Sequence, residues 1–535
     1  MRIIPAPKSV KMSNGKFIFN AAVGLDCPYP DITASLNGFL QKFCGFTLEE
    51  GGGTVVEVKP SADADSEGYV LEIKENQIKI TAETQKGAFY GAQSLKQLIA
   101  EYYDAGAEKA EIPCAVIEDA PRFKYRGFMF DCARHFFSVD TLKDYIEAIS
   151  TLKFNVFHWH LTEDQGWRIQ IDAYPKLTEV GSKRAQTMSD GKPYGGFYTK
   201  DEIRDIVAYA AERYIDVIPE FDMPGHTRAA IAAYPELGCS DTPVGVATKF
   251  GIHKEILCGG NNKVYEFINR VLDEMADLFP SKYVHLGGDE AIKTEWYVCP
   301  KCQSKIKQLK LHNEEDLQAY MTNEAVKHLK TLGKAAICWN ESINSGTLDK
   351  SVTIQYWQDG RKAERVCAEI KNGRKTIVSR FSPYYLDYPY AMSTLKAVYD
   401  YEPIFEAVKD CGENIIGVES PIWTEWVGDR EILDFRVFPR LTAVAETGWS
   451  MPENKNYGDF EAALSSTGKI LKTLNINQTP LKKCNPPLLL RPLINAKFGL
   501  QAFDYDMIVR GKKAYKEMKK MRKLRQGEKD DKQKV

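Results

Sequence analysis

The sequence has no apolar run near the roughly 18 residues that a membrane-spanning helix needs, so nothing in it marks a membrane-crossing helix. Its first residues, MRIIPAPKSV, lack the apolar core of a secretory signal and enter a fold-like pattern at once. Read alone, they suggest a cytosolic protein or one whose signal has been removed. Neither sign of charge is in excess. The 71 Lys and Arg against 73 Asp and Glu leave a formal charge of -2 at pH 7, which gives no reason to expect a nucleic-acid or acidic-polymer partner. Cysteine is sparse, with 12 in 535 residues, far below the density of a disulfide scaffold. Cys299-Pro-Lys-Cys302 has half of a zinc-site spacing, but no second CxxC or HxxxH follows it. Cys239 and Cys258 flank one loop region and a disulfide could bridge it.

What is present is an ordinary globular composition, 44% hydrophobic and 27% charged. The length exceeds one usual domain and predicts a large domain with a smaller companion. Residues 1–118 read as a small α+β domain. Gly68–Lys74 and Gln77–Thr81 alternate with period two around a polar turn, as a β-hairpin does. Lys86–Ile99 carries helical spacing through Phe89, Ala92, Leu95 and Leu98. Ile117–Arg122, with its Ala-Pro, reads as a linker.

From 119 to about 480, strand and helix patterns alternate. The predicted strands are Tyr125–Cys132, Phe154–His160, Asp216–Phe221, Tyr283–Leu286, Lys334–Trp339, Ser351–Trp357, Lys375–Ser379 and Asn414–Trp423. Ser138 is placed to cap a helix with an apolar face of Val139, Leu142, Tyr145, Ile146 and Ile149, and Thr199-Lys-Asp-Glu202 is a capping box. Eight strands with intervening helices predict an α/β fold, a (β/α)8 TIM barrel. An open doubly wound sheet is the alternative, and the absence of a Gly-rich phosphate fingerprint counts against it. Residues 481–535 form a basic C-terminal extension that reads as partly helical or disordered.

Active sites of such barrels lie at the C-terminal ends of the strands. Here those ends are Asp131-Cys-Ala-Arg134-His135, His158-Trp-His160 with Glu163-Asp164, Glu220-Phe-Asp222 with His226, Gly287-Gly-Asp-Glu290, Trp339-Asn-Glu341, Trp357-Gln-Asp359, Tyr385 with Asp387, and Trp423-Thr-Glu425. A barrel kept only for structure needs neither carboxylates at each mouth position nor tryptophan at three of them. The mixture fits a sugar. Aromatic faces stack on the apolar faces of the ring, carboxylates and arginine bind hydroxyls, and a carboxylic acid of raised pKa protonates a glycosidic oxygen. The adjacency of Asp289 and Glu290 is poorly suited to an acid and a nucleophile flanking one bond, because neighbours near a strand end diverge. It suits substrate-assisted hydrolysis better.

These stretches resemble glycoside hydrolase family 20, the β-N-acetylhexosaminidases. The resemblance runs in order through Arg126–His135, His158–Arg168, Tyr194–Thr199, Pro219–His226, His285–Glu290, Trp339, Trp357, Tyr385–Asp387 and Trp423–Glu425. It implies an exo-acting enzyme that removes terminal non-reducing N-acetyl-D-hexosamine by a retaining, oxazolinium mechanism without metal or organic cofactor. It implies that Glu290 is the acid and base, that Asp289 and Tyr385 hold the acetamido group, and that Asp164 and His226 form a relay behind Glu290. Trp339, Trp357 and Trp423 would wall the acetamido pocket, while Arg134, His160, Asp387 and Glu425 would bind the sugar. Glu163 stands where the family often has aspartate. The resemblance favours an exported, periplasmic or secreted protein, with a cytoplasmic one as the alternative. Nothing in the pattern specifies an oligomeric state.

Two other readings use the same residues. His158 and His160 share one face of a strand, as in a metal-dependent amidohydrolase, but that reading needs ligands from later strands, whose ends carry aromatics and carboxylates. A non-catalytic glycan-binding barrel would keep the tryptophans and could lose the acid, yet Glu290 is present.

Overall fold

The computed structural model describes residues 1–59, 65–104, 106–188, 190–240, 242–358 and 361–502, with Lys516 and Lys520. Asp359 and, within the C-terminal extension, residues 503–515, 517–519 and 521–535 lie outside these residues, while Leu481–Cys484 and Arg491–Ala502 of that extension are helical. In the N-terminal domain, β1 (Ser9–Phe19), β2 (Gly24–Asp26), β3 (Gly53–Val58), β4 (Tyr69–Lys74), β5 (Gln77–Ala82) and β6 (Ala110–Asp119) form one sheet in the order β1-β6-β4-β5-β3-β2. The β4–β5 hairpin closes with Lys74 opposite Gln77. The residues Ile117–Asp119, which read as linker, instead belong to β6. Ile117 is fully buried and pairs with both Val10 and Leu71, so apolar burial holds it in the sheet despite the Ala-Pro that follows.

Helix α2 (Gln85–Tyr102) packs on this sheet, and α1 (Pro30–Phe43) packs beside α2 in the same apolar core. Thr84 caps α2 by accepting the Gly87 N–H. The helix is buried around most of its circumference, because it touches the sheet on one side and barrel helices on the other.

The eight strands of the second domain are β7 (Tyr125–Asp131), β8 (Val156–His160), β9 (Asp216–Glu220), β10 (Tyr283–His285), β11 (Ala335–Trp339), β12 (Thr353–Tyr356), β13 (Thr376–Val378) and β14 (Ile415–Ile422). All are parallel, and β14 pairs with β7 to close the barrel. This is the (β/α)8 barrel that the alternating pattern predicts. The helices α3 (Val139–Thr151), α4 (Lys200–Ala211), α5 (Asn262–Leu278) and α6 (Glu314–Thr331) pack their apolar stripes on it. Ser138 caps α3, and Thr199 with Glu202 makes both bonds of the capping box on α4. Among the described residues, no helix is long and apolar enough to cross a membrane.

Strand register sets the level of the site. Asp131 pairs with His160, His160 with Glu220, and Glu220 with His285, so four polar residues arrive at one layer of the barrel. The interior there is a polar network. Glu220 accepts from Trp339 Nε1 at 2.8 Å and meets His285 Nδ1 at 2.9 Å, His158 Nε2 at 3.1 Å and His160 Nδ1. Glu419 meets His158 Nδ1 at 2.8 Å and accepts from Tyr125 and Gln355, each at 2.5 Å. Buried carboxylates in such number persist because each is paired and hydrogen-bonded.

Candidate active site

Glu290 and Asp289 follow a backbone that only glycine permits. Gly287 and Gly288 have φ of +61° and +105°. A Cβ on Gly287 would lie 1.8 Å from Asp222 Oδ1, and one on Gly288 2.2 Å from Ser342 Oγ. The Gly288 N–H donates to Asp222 at 2.9 Å. Glu290 itself has φ of +46°, and His226 on the facing loop has +54°. Non-glycine residues in this region are uncommon and concentrate at functional sites. Because β10 ends at His285, strand alternation does not extend to residues 289 and 290, so the expected divergence of the two carboxylates has no hold there. His226 Nε2 lies 3.7 Å from both Asp289 Oδ2 and Glu290 Oε2.

The electrostatics single out Glu290. Burial pushes the Glu290 carboxyl up. The His226 cation opposes this and the charges of Asp289 and Glu341 add to it, leaving Glu290 at about 7. A carboxyl there is protonated often enough to act as a general acid and ionised often enough to act as a base. Burial would lower the His226 imidazole, but Glu163 and then Asp289 outweigh it and hold it well above the ordinary range.

The relay behind Glu290 differs in detail from its expected form. His226 Nδ1 lies 2.5 Å from Glu163 Oε1 and 3.7 Å from Asp164 Oδ2. Glu163 also pairs with Arg134. Burial would raise its carboxyl, but Arg134 and His226 hold it well below its usual range. Asp164 is pushed up by burial and by Glu163, and its Oδ1 accepts the Arg228 N–H at 2.9 Å. The nearer partner of His226 is therefore Glu163. The longer side chain at that position reaches the imidazole, a contact that spacing along the chain does not reveal.

An aromatic cage stands beside Asp289. Trp357 and Tyr385 stack at 6.0 Å with an interplanar angle of 24°. Trp423 lies 6.2 Å from Tyr385 and 5.8 Å from Trp339. Trp357 is fixed by its Nε1–H to Glu341 at 2.8 Å and by its backbone N–H to Asn340 Oδ1 at 3.0 Å. Trp339 forms the floor, 1% exposed and bonded to Glu220. Burial, then the charge of Asp289, lifts the Tyr385 phenol well above its ordinary value, so it stays a neutral donor.

Arg134, Asp387 and Glu425 meet at the other side. The Arg134 guanidinium lies 4.7 Å over the Trp423 ring, with its Nε 3.9 Å from Glu425. Burial and the charge of Glu425 push Asp387 up to about 8, and one of its buried oxygens has no hydrogen-bond partner. Such a group is satisfied when a hydroxyl enters. His160 takes a different place from the one expected. It is fully buried, bonded to Glu220 and packed edge-on against Trp423 at 5.0 Å. It lies behind the sugar-facing surface and orients that tryptophan.

Three residues that the sequence places near strand ends without a role contribute to this site. Asp222 backs the Gly287-Gly288 turn, Glu163 holds His226, and Glu220 anchors three histidines and Trp339. Their one sequence signal is position at a strand end. His158, a histidine of the metal-hydrolase reading, is fully buried in the barrel interior, with Nδ1 2.8 Å from Glu419 and Nε2 3.1 Å from Glu220.

A carboxyl near neutral pH, a caged tyrosine and a closed set of hydroxyl-binding groups on a (β/α)8 barrel define a glycoside-hydrolase site. The profile for the family 20 glycosyl hydrolase catalytic domain matches residues 123–452, and that for domain 2 of the same family matches residues 1–120. A β-hexosaminidase of Porphyromonas gingivalis is 39% identical over 77% of this chain, and the match spans 54% of that longer protein. A β-hexosaminidase of Akkermansia muciniphila is 36% identical over 77% of this chain and 85% of its own. The family 20 exo-β-N-acetylglucosaminidase of Vibrio harveyi, solved with N-acetylglucosamine, superposes with a TM-score of 0.80 at 30% identity, over 90% of this chain and 78% of that one. The chain belongs to glycosyl hydrolase family 20, and these matches support β-N-acetylhexosaminidase activity.

Proposed function

We propose that this barrel hydrolyses single β-linked N-acetylhexosamine residues from the non-reducing ends of glycans, with the substrate's acetamido oxygen as nucleophile. The observation that carries the reading is the placement of Asp289 and Tyr385 beside an aromatic cage, with Glu290 at about 7 next to them. Glu290 gives its proton to the leaving glycosidic oxygen while the acetamido oxygen attacks the anomeric carbon. The C–O bond to the leaving group breaks and an oxazolinium ion forms. Asp289 accepts the acetamido N–H and offsets its developing positive charge, and the Tyr385 hydroxyl donates to the acetamido oxygen. Glu290, now ionised, takes a proton from the water that opens the ring, so configuration is retained. Glu163 and His226, with Asp164 nearby, keep Glu290 in reach of both roles. Arg134, Asp387 and Glu425 bind the far hydroxyls of a terminal sugar and leave no room for a further residue. The protein acts outside the cytoplasm, in the periplasm or as a secreted enzyme, where such glycans are met.

The test compares release of 4-nitrophenol from the N-acetyl-β-glucosaminide and from the plain β-glucoside. Cleavage of the acetamido sugar alone is expected. Equal cleavage of both would require a protein nucleophile and would overturn the mechanism.

A further inference from the structure

Four cysteines that are far apart in sequence meet on the loops that carry the site. Cys239 follows the short helix Pro235–Leu237, Cys258 precedes α5, and Cys299 and Cys302 open the helix Pro300–Gln308. Three of them are buried and none is in a disulfide. All four sulfurs lie within 4.8 Å of one another. Cys258 Sγ is 3.6 Å from Cys302 and 3.8 Å from Cys299, and Cys239 Sγ is 3.8 Å from Cys302.

These spacings have a specific meaning. A tetrahedral zinc with Zn–S bonds of about 2.3 Å puts its sulfurs about 3.8 Å apart. Two disulfides would divide the four sulfurs into two close pairs. Here Cys258 is about equally near two others and Cys302 likewise, which is the pattern of a tetrahedron. The backbone is also shaped for close approach. A Cβ on Gly260 would lie 2.0 Å from the carbonyl carbon of Lys301, so only glycine lets the Cys258 loop press against the turn of Cys299-Pro-Lys-Cys302.

We propose that Cys239, Cys258, Cys299 and Cys302 hold one structural zinc ion. Each thiol gives its proton to solvent as the metal binds, and no oxidant or reductant takes part. The CxxC spacing lacked a second half in the sequence because the other ligands come from the loop after β9, not from a second short motif. The ion ties the loop carrying Asp222 and His226 to the loop carrying Asp289 and Glu290, beside the bond from Trp296 Nε1 to the Leu257 carbonyl at 2.9 Å. Its role is to fix their spacing, apart from the chemistry.

The full-length chain, expressed with zinc in the medium, is assayed for metal by mass spectrometry and for thiols by Ellman's reagent after chelation in denaturant. About one zinc per chain and twelve thiols are expected. The stripped, refolded chain should take up one Co(II) with the intense thiolate charge-transfer absorption of a tetrahedral site. Cys239→Ser, at the most exposed of the four positions, should keep the fold, change that spectrum and lower the melting temperature by several degrees. Less than a tenth of an equivalent of zinc together with no Co(II) absorption would overturn the proposal. So would eight or ten thiols, which would mean that the cysteines pair as disulfides. None of these readouts depends on glycosidase activity, so failure here is distinct from failure of the proposed reaction.

Discussion

At the scale of single residues, Glu290 sits at about 7 because burial and the charges of Asp289 and Glu341 outweigh the His226 cation. The sign of the pH dependence follows. The acid must be protonated to assist departure, so kcat/KM for a substrate with a poor leaving group should fall as pH rises through about 7. A fall centred near pH 4.5 would show that the pocket does not raise this carboxyl. Glu290→Gln keeps the shape and removes the proton, and should cost 10²- to 10⁴-fold in kcat with such substrates. The loss should be smaller when the leaving group is 2,4-dinitrophenol, which departs unaided. Asp289→Asn removes the charge that faces the oxazolinium and should lower kcat by about 10²-fold, a change read from steady-state rates with KM followed separately.

At the scale of elements, most of the barrel is legible in the sequence. Short strand-like runs ending in Asp131, His160, Glu220 and Trp339, separated by helical patterns, place their strands within one or two residues, because the strand-then-helix unit of a closed barrel repeats a local rule eight times. The capping box at Thr199 is local in the same way. Thr199→Ala should cost about 1 kcal/mol of stability, measured by urea unfolding, with kcat unchanged. A drop in kcat would mean that α4 steers the loop before it. The 287–290 turn escapes this kind of reading. Its two glycines are visible, but the reason for them, the Asp222 carboxylate in the space of a Cβ, comes from a residue 65 positions earlier.

At the scale of the whole molecule, the two domains join through a buried charge. Asp119, at the end of β6, accepts from Lys153 Nζ at 2.8 Å, Tyr69 at 2.7 Å and Trp449 Nε1 at 2.8 Å. Lys153 and Arg126 both lie against the Trp449 ring, at 4.7 and 4.9 Å. Removing one member leaves the other charge buried and unpaired, so Asp119→Ala should destabilise by about 3–5 kcal/mol. The check is chemical denaturation of the full chain. A loss below 1 kcal/mol would show that water reaches Lys153 and that the joint is loose.

The sequence by itself determined the barrel, the order of its strands and the set of polar and aromatic residues at their mouths, because each depends on periodicity and on position at a strand end. Only the tertiary structure decided that Glu163 rather than Asp164 is the nearer partner of His226, that His160 stands behind Trp423, and that Cys239 and Cys258 join Cys299 and Cys302. Those contacts link loops from different strands, and their distances depend on how the closed barrel brings the loops together, which no local pattern encodes.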